Sequence, residues 1–320
     1  MSSVAPSPEP PGNTGPAAKV IAWNSFVVDT RTSKVYSVAN GGHGDYSGNE
    51  VDVLDLERDD PLWFQVLAPS LNVRDAEYYA DGRPTSRHTY YGVTLNEFDD
   101  RIMLFGGSRW QIGNFPRNID SYNIGANSYN PQGTHPDAAS NFIGVQATAL
   151  NPLTGDVYLN QDFLLGRWNR STNTFVTLSP SGADRPQGYN TVAAFDTSRG
   201  RILFLGGAAP DHHIYTLSSN AWSAISISGA NASTVSGAMQ AAMLYVSAMD
   251  RYLVRLDNAG GTIYQIDAAT FAVTTFPTTN GGSIPSTQNG PFNKFLYVPR
   301  LRGAVYVPSY SGTAWFLRLH

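Results

Sequence analysis

A chain of 320 residues, 42% hydrophobic and 14% charged, can bury a sizeable core, and its length suits one large all-β unit or two smaller ones. A formal charge of -4 gives no basic footprint for nucleic acid or an anionic membrane surface, so neither is expected as a partner. Cysteine is absent, which excludes disulfides, cysteine metal sites and cysteine nucleophiles without deciding the compartment.

In chain order, residues 1–19 form a proline-rich segment that lacks the basic and apolar regions of a secretory signal. Localisation stays open on this reading, with an extracellular or virion-associated place compatible. No apolar run is long enough to span a bilayer, so membrane insertion is not expected. With only Lys19, Lys34 and Lys294 as lysines, most positive charge is guanidinium, suited to gripping carboxylate or phosphate in two places. From residue 20 onward a single repeating domain is expected.

The repeat is clearest from Pro84 to Gly107. A polar opening (Pro84 to Arg87) leads into an apolar run (His88 to Leu95), an acidic turn (Asn96 to Asp100), a second apolar run (Arg101 to Phe105) and Gly106-Gly107. Short runs rich in Tyr, Val, Thr, Ile and Phe, bounded by Pro, Asn, Asp and Gly, signal a β-hairpin. Second strands of the same kind start at Lys34, Arg101, Asp156, Arg201, Arg251 and Gly303, at a spacing of about 50 residues. Most repeats add a third strand, at Val51, Ile119, Ile214, Ile263 and Ala314, and several a fourth, such as L-W-F-Q-V-L and T-F-V-T-L. Four strands at this period make a propeller blade, so the fold expected is an all-β propeller of about six four-stranded blades. The last blade runs out of chain after its third strand. Residues Ser2 to Pro6 have the look of the fourth-strand ends L-A-P-S and L-S-P-S and are expected to close the ring.

Pro84, Arg87, His88, Gly106 and Gly107 together resemble a kelch repeat, and through it the galactose-oxidase-like propellers. The copper-radical oxidation of galactose oxidase needs a tyrosine crosslinked to cysteine, so the absence of cysteine rules that activity out, and no cofactor is expected. Polysaccharide lyases on related propellers use a base and an acid such as His and Tyr, with Arg neutralising a uronate carboxylate. His43, Tyr46, Arg87, His88 and Arg109 supply those residue types in adjacent blades.

In such blades the turns joining first to second strands emerge on one face and are short and generic here. The loops on the other face are long. Asn40 to Glu50 brings His43, Asp45, Tyr46, Asn49 and Glu50; Val73 to Arg87 brings a run of Arg, Asp and Tyr; Ser108 to Asn118 brings Arg109 and Trp110. With His135, His212 and His213, all but one of the six histidines are expected on this face. The candidate ligand-binding set is His43, Asp45, Tyr46, Arg87, His88, Arg109, Trp110 and His212, with Trp110 expected as an exposed aromatic suited to a sugar ring or a protein hot spot. No metal site is expected: His43 with Asp45 and Asp211 with His212 are two-residue fragments. His212 and His213 should point to opposite sides of their strand. The leading reading is a recognition or assembly propeller that binds a glycan or protein, as a subunit of a larger surface or viral particle in one variety; the alternative is a lyase acting on uronate-containing glycans.

Overall fold

The computed structural model describes residues 5–144, 147–182, 190–207, 212–257, 260–279 and 284–319. Their alternating apolar residues form antiparallel sheets in strict chain order. Blade 1 comprises Val27–Asp29, Lys34–Val38, Val51–Asp55 and Trp63–Leu67, and blade 2 Val93–Asn96, Arg101–Leu104, Asp120–Asn123 and Ser128–Tyr129. Blade 3 comprises Ala147–Leu150, Val157–Gln161, Leu164–Asn169 and Thr174–Leu178, and blade 4 Val192–Asp196, Arg201–Leu205, His212–Thr216 and Ala221–Ile225. Blade 5 comprises Ala242–Val246, Arg251–Arg255, Ile263–Asp267 and Val273–Phe276, and blade 6 Phe295–Val298, Gly303–Tyr306 and Trp315–Arg318. The first strands neighbour one another in cyclic order, blade 6 returning to blade 1. The protein is therefore an all-β, six-bladed β-propeller.

Period-2 alternation builds the core, because successive residues of one strand serve different neighbours. In blade 4, Ala193 and Phe195 pack toward blade 3, whereas Val192 and Ala194 pack toward blade 5. Every blade is thus buried on both faces and shares its core with the two beside it.

Two expectations need correction. The run His88 to Leu95 is not one strand: Arg87–His88 pairs with Ser108–Arg109 in a separate two-stranded ladder, and the blade's first strand begins only at Val93. Tyr90 breaks the run, with φ +48° and its N–H donated to the Trp23 carbonyl. The turns between first and second strands are also not generic, because arginine–carboxylate pairs tie blades together there. Arg31 pairs with Asp100 at 2.6 Å, Arg170 with Asp99 at 2.9 Å, Arg199 with Asp250 at 2.6 Å and Arg300 with Glu57 at 2.8 Å. The expected closing strand at Ser2 to Pro6 lies, for residues 2–4, outside the described residues; Ala5 and Pro6 belong to no strand.

A central cavity of about 520 Å³ reaches the turn side between Thr30, Glu97, Pro152, Thr197, Ser247 and Pro299. Toward the loop side Tyr91 crosses the ring. Its hydroxyl donates to the Ala241 carbonyl at 2.8 Å, its own carbonyl accepts from the Thr148 hydroxyl, and its ring rests 4.9 Å from that of Phe292. Tyr91→Phe removes the bond to Ala241 and leaves a buried carbonyl without that donor, which costs about 1–3 kcal/mol. Urea unfolding should show a lower midpoint with an unchanged slope; an unchanged midpoint would show that Tyr91 does not bind blade 2 to blade 5.

Candidate functional site

The long-loop face is organised by backbone pairing between blades 1 and 2. Asn40 forms a parallel bridge with Arg87, the Arg87 N–H donates to the Ala39 carbonyl, and the Gly41 N–H donates to the Arg87 carbonyl. On its other side Arg87 pairs with Arg109. Gly42 is required at the crossing: its φ is +79°, and a Cβ there would stand 2.0 Å from the His88 nitrogen.

The N-terminal segment lies over this loop. Thr14 and Gly15 donate their N–H groups to the Asp45 carbonyl, Asn13 donates to Gly44, and Ser47 donates to Pro11. Two short helices follow, Gly15–Ala17 and Ala18–Ile21, and carry Lys19 into the interior.

These contacts bring His43, Asp45 and His88 together. His88, 2% exposed, places Nε2 2.8 Å from Asp45 Oδ2, and the Thr14 hydroxyl donates to the other oxygen of that carboxylate. The His43 and His88 rings stand edge to face at 6.0 Å, and Trp23 and Tyr90 close in on His88 at 5.1 and 6.0 Å. Burial lowers the His88 pKa and outweighs the opposing pull of Asp45, so the neutral imidazole is favoured. The hydrogen bond with His88 holds the Asp45 carboxyl below its usual range despite partial burial. His43 is exposed and carries the only imidazole of the pair that faces solvent.

The other candidates are engaged elsewhere. Tyr46 is wholly buried, with its hydroxyl donated to Glu50 Oε1 at 2.8 Å, and burial beside that carboxylate raises its pKa far above the ordinary phenol value. Arg87 is 1% exposed and donates from Nη2 to Asp120 Oδ2 at 2.8 Å, while the Tyr78 hydroxyl donates to the other oxygen of that carboxylate. Arg109 pairs with Asp75 at 2.6 Å. Trp110 is 7% exposed, which corrects the expectation of an open aromatic platform; its backbone N–H is donated to Ser86. His212 sits in blade 4, with Nε2 2.9 Å from the Ser236 hydroxyl and Nδ1 accepting from Gly206. His213 faces the Trp222 ring, so the two adjacent histidines do point to different sides. His135 does not join the loop face. It bonds Ser121 and Asn173, and Asn173 lies on the turn between the third and fourth strands of blade 3. Asp211 lies outside the described residues. The proton-transfer and carboxylate-gripping residues assembled from the sequence thus separate into distinct clusters.

Several residues escaped the sequence reading. Lys19, 1% exposed, donates to Glu50 at 2.7 Å and Asp52 at 2.8 Å, both buried. Burial would lower the Lys19 pKa, but the two carboxylates outweigh it and hold the ammonium above its usual value. Two carboxylates share one lysine here, and burial raises Asp52 to about 7 against the pull of Lys19. Lys294, also buried, meets the Asn24 carbonyl at 2.8 Å, and burial lowers it to about 7. That these are two of only three lysines was the available signal. Thr14 carried none.

Asp52 binds its proton more tightly folded than unfolded, so it contributes a stability that falls as pH rises from about 4 through about 7. Asp52→Asn should flatten that slope in urea unfolding measured at pH 5, 6 and 7; an unchanged slope would assign the pH dependence elsewhere. Lys19→Met leaves two buried carboxylates without their cation and should cost about 3–5 kcal/mol. Comparison with known proteins finds no matching family model and no matching curated protein.

Proposed function

We propose that the protein is a recognition propeller that binds a protein surface through its long-loop face, around His43. The observation that carries this reading is the set of apolar side chains left in water beside that residue. Ile112, Phe115 and Ile143 are 57%, 43% and 37% exposed, all in loops of this face. They adjoin the site: Gly113 abuts the His43 imidazole and Gly144 abuts the Phe115 ring. Exposed apolar groups gathered next to a histidine and a carboxylate suit a protein hot spot better than a sugar, which needs an open aromatic face. The polar groups beneath are already paired, so the face is held in shape before any partner arrives.

A place in a larger surface or viral assembly is one form of this function. The kelch-type resemblance is compatible with it, and the glycan and uronate-lyase readings are the alternatives. A photo-crosslinking residue at position 112 should yield a discrete protein adduct, whereas the same residue at Lys34 on the turn side should not. Phe115→Asp should abolish the adduct and leave the melting temperature unchanged. Binding to a glycan panel without any protein adduct would replace this reading with glycan recognition. Release of unsaturated product from a uronate polymer would replace it with the lyase.

A further inference from the structure

The second strands of blades 1, 2 and 4 end on apolar residues, Val38, Leu104 and Leu205, but blade 5 ends its own on Arg255. Leu253 packs toward blade 6, and Arg255, two residues on, leaves the strand on the same side. The side chain is thereby driven between two blades, and Arg255 is 0% exposed. Its guanidinium carbon stands 5.1 Å from the centre of the Tyr306 ring, and Nη1 donates to the Thr262 carbonyl at 3.1 Å.

The rest of the guanidinium is unanswered. Nε and Nη2, both removed from water, have no hydrogen-bond partner among the described residues, and the buried Tyr306 hydroxyl has none either. Arginine does not shed its proton in a protein, and a buried charge is costly unless it is paired. Arg87, buried to the same degree, has Asp120. Asp257 lies two residues beyond Arg255 and acts through space on Lys294 and Tyr306, yet it forms no ion pair with Arg255, and its own Oδ1 is buried without a partner among the described residues.

Arg255 and Tyr306 line one cavity of about 80 Å³ between blades 5 and 6, whose apolar walls include Ile263, Ile284, Phe295 and Leu317. That volume lies between the roughly 30 Å³ taken by one water and the roughly 150 Å³ that holds a benzene. Nε and Nη2 form the side edge of the guanidinium, where two parallel N–H groups match the two oxygens of a carboxylate. A halide offers that edge no second acceptor.

We infer that this cavity is a binding site for a small carboxylate of about two or three carbons, with its oxygens held by Arg255 Nε and Nη2 and by the Tyr306 hydroxyl and its alkyl end against the apolar walls. The bound anion supplies the missing counter-charge and links blade 5 to blade 6. The site is separate from the loops around His43 in blades 1 and 2, so the two readings are tested apart.

The probe is acetate carrying 13C at its carboxyl carbon, titrated at fixed ionic strength into 15N-labelled protein dialysed free of carboxylates. The Arg255 Nε–H signal should move to saturation and the acetate carboxyl signal should shift with it. Acetamide, of similar size without the charge, should do neither. Tyr306→Phe should keep the fold and weaken acetate binding about tenfold, the effect of losing one hydrogen bond to a charged group. Arg255→Met should abolish binding; if that chain does not fold, Tyr306→Phe decides. An Arg255 signal that does not saturate, an equal shift with chloride, or a Tyr306→Phe variant that binds acetate as tightly as the native chain would each overturn the inference.

Discussion

The loop face depends on Arg87. Its backbone pairs with Asn40 on one side and Arg109 on the other, and its side chain, removed from water, is answered by Asp120. A buried guanidinium without its carboxylate is far costlier than an exposed one, so this pair fixes position more than it adds stability. Because the loop of blade 1 is hydrogen-bonded to Arg87, it cannot move independently of blade 2. His43, Asp45 and His88 inherit their geometry from that constraint.

The N-terminal segment is the second constraint. It donates backbone hydrogen bonds to Asp45 and drives Lys19 between Glu50 and Asp52. An excess of buried carboxylate over lysine is unfavourable by itself, and the proton that Asp52 retains near neutrality relieves it. The segment is therefore held by charge at one point and by backbone bonds at another, directly above the residues proposed to meet a partner.

The blades were legible in the sequence because their signals are local. The six second strands were placed by a period-2 run bounded by a turn, and all six are present. Blade 2's last strand was missed because Ser128–Tyr129 is only two residues long, and the third strand of blade 3, Leu164–Asn169, follows its predecessor with almost no turn sequence between them. The site was legible only in part. That His43, Asp45 and His88 share a face follows from blade topology, but that Tyr46 turns inward to Glu50 and Arg87 to Asp120 depends on contacts between distant segments. Nothing in residue type distinguishes an arginine that grips a ligand from one that grips its own chain.

The two faces also hold their charges differently. On the turn side the arginine–carboxylate ties between blades are partly exposed, as at Arg300 and Glu57, 55% and 39% exposed at their side chains, and solvent screens them so that each adds little. On the loop side Arg87, Lys19, Glu50 and Asp52 are buried, and breaking any one pair strands its partner in a medium that solvates it poorly. The loop of blade 1, held in this way to blade 2, would lose little entropy in the association proposed above, and the exposed Ile112, Phe115 and Ile143 would contribute apolar burial to it.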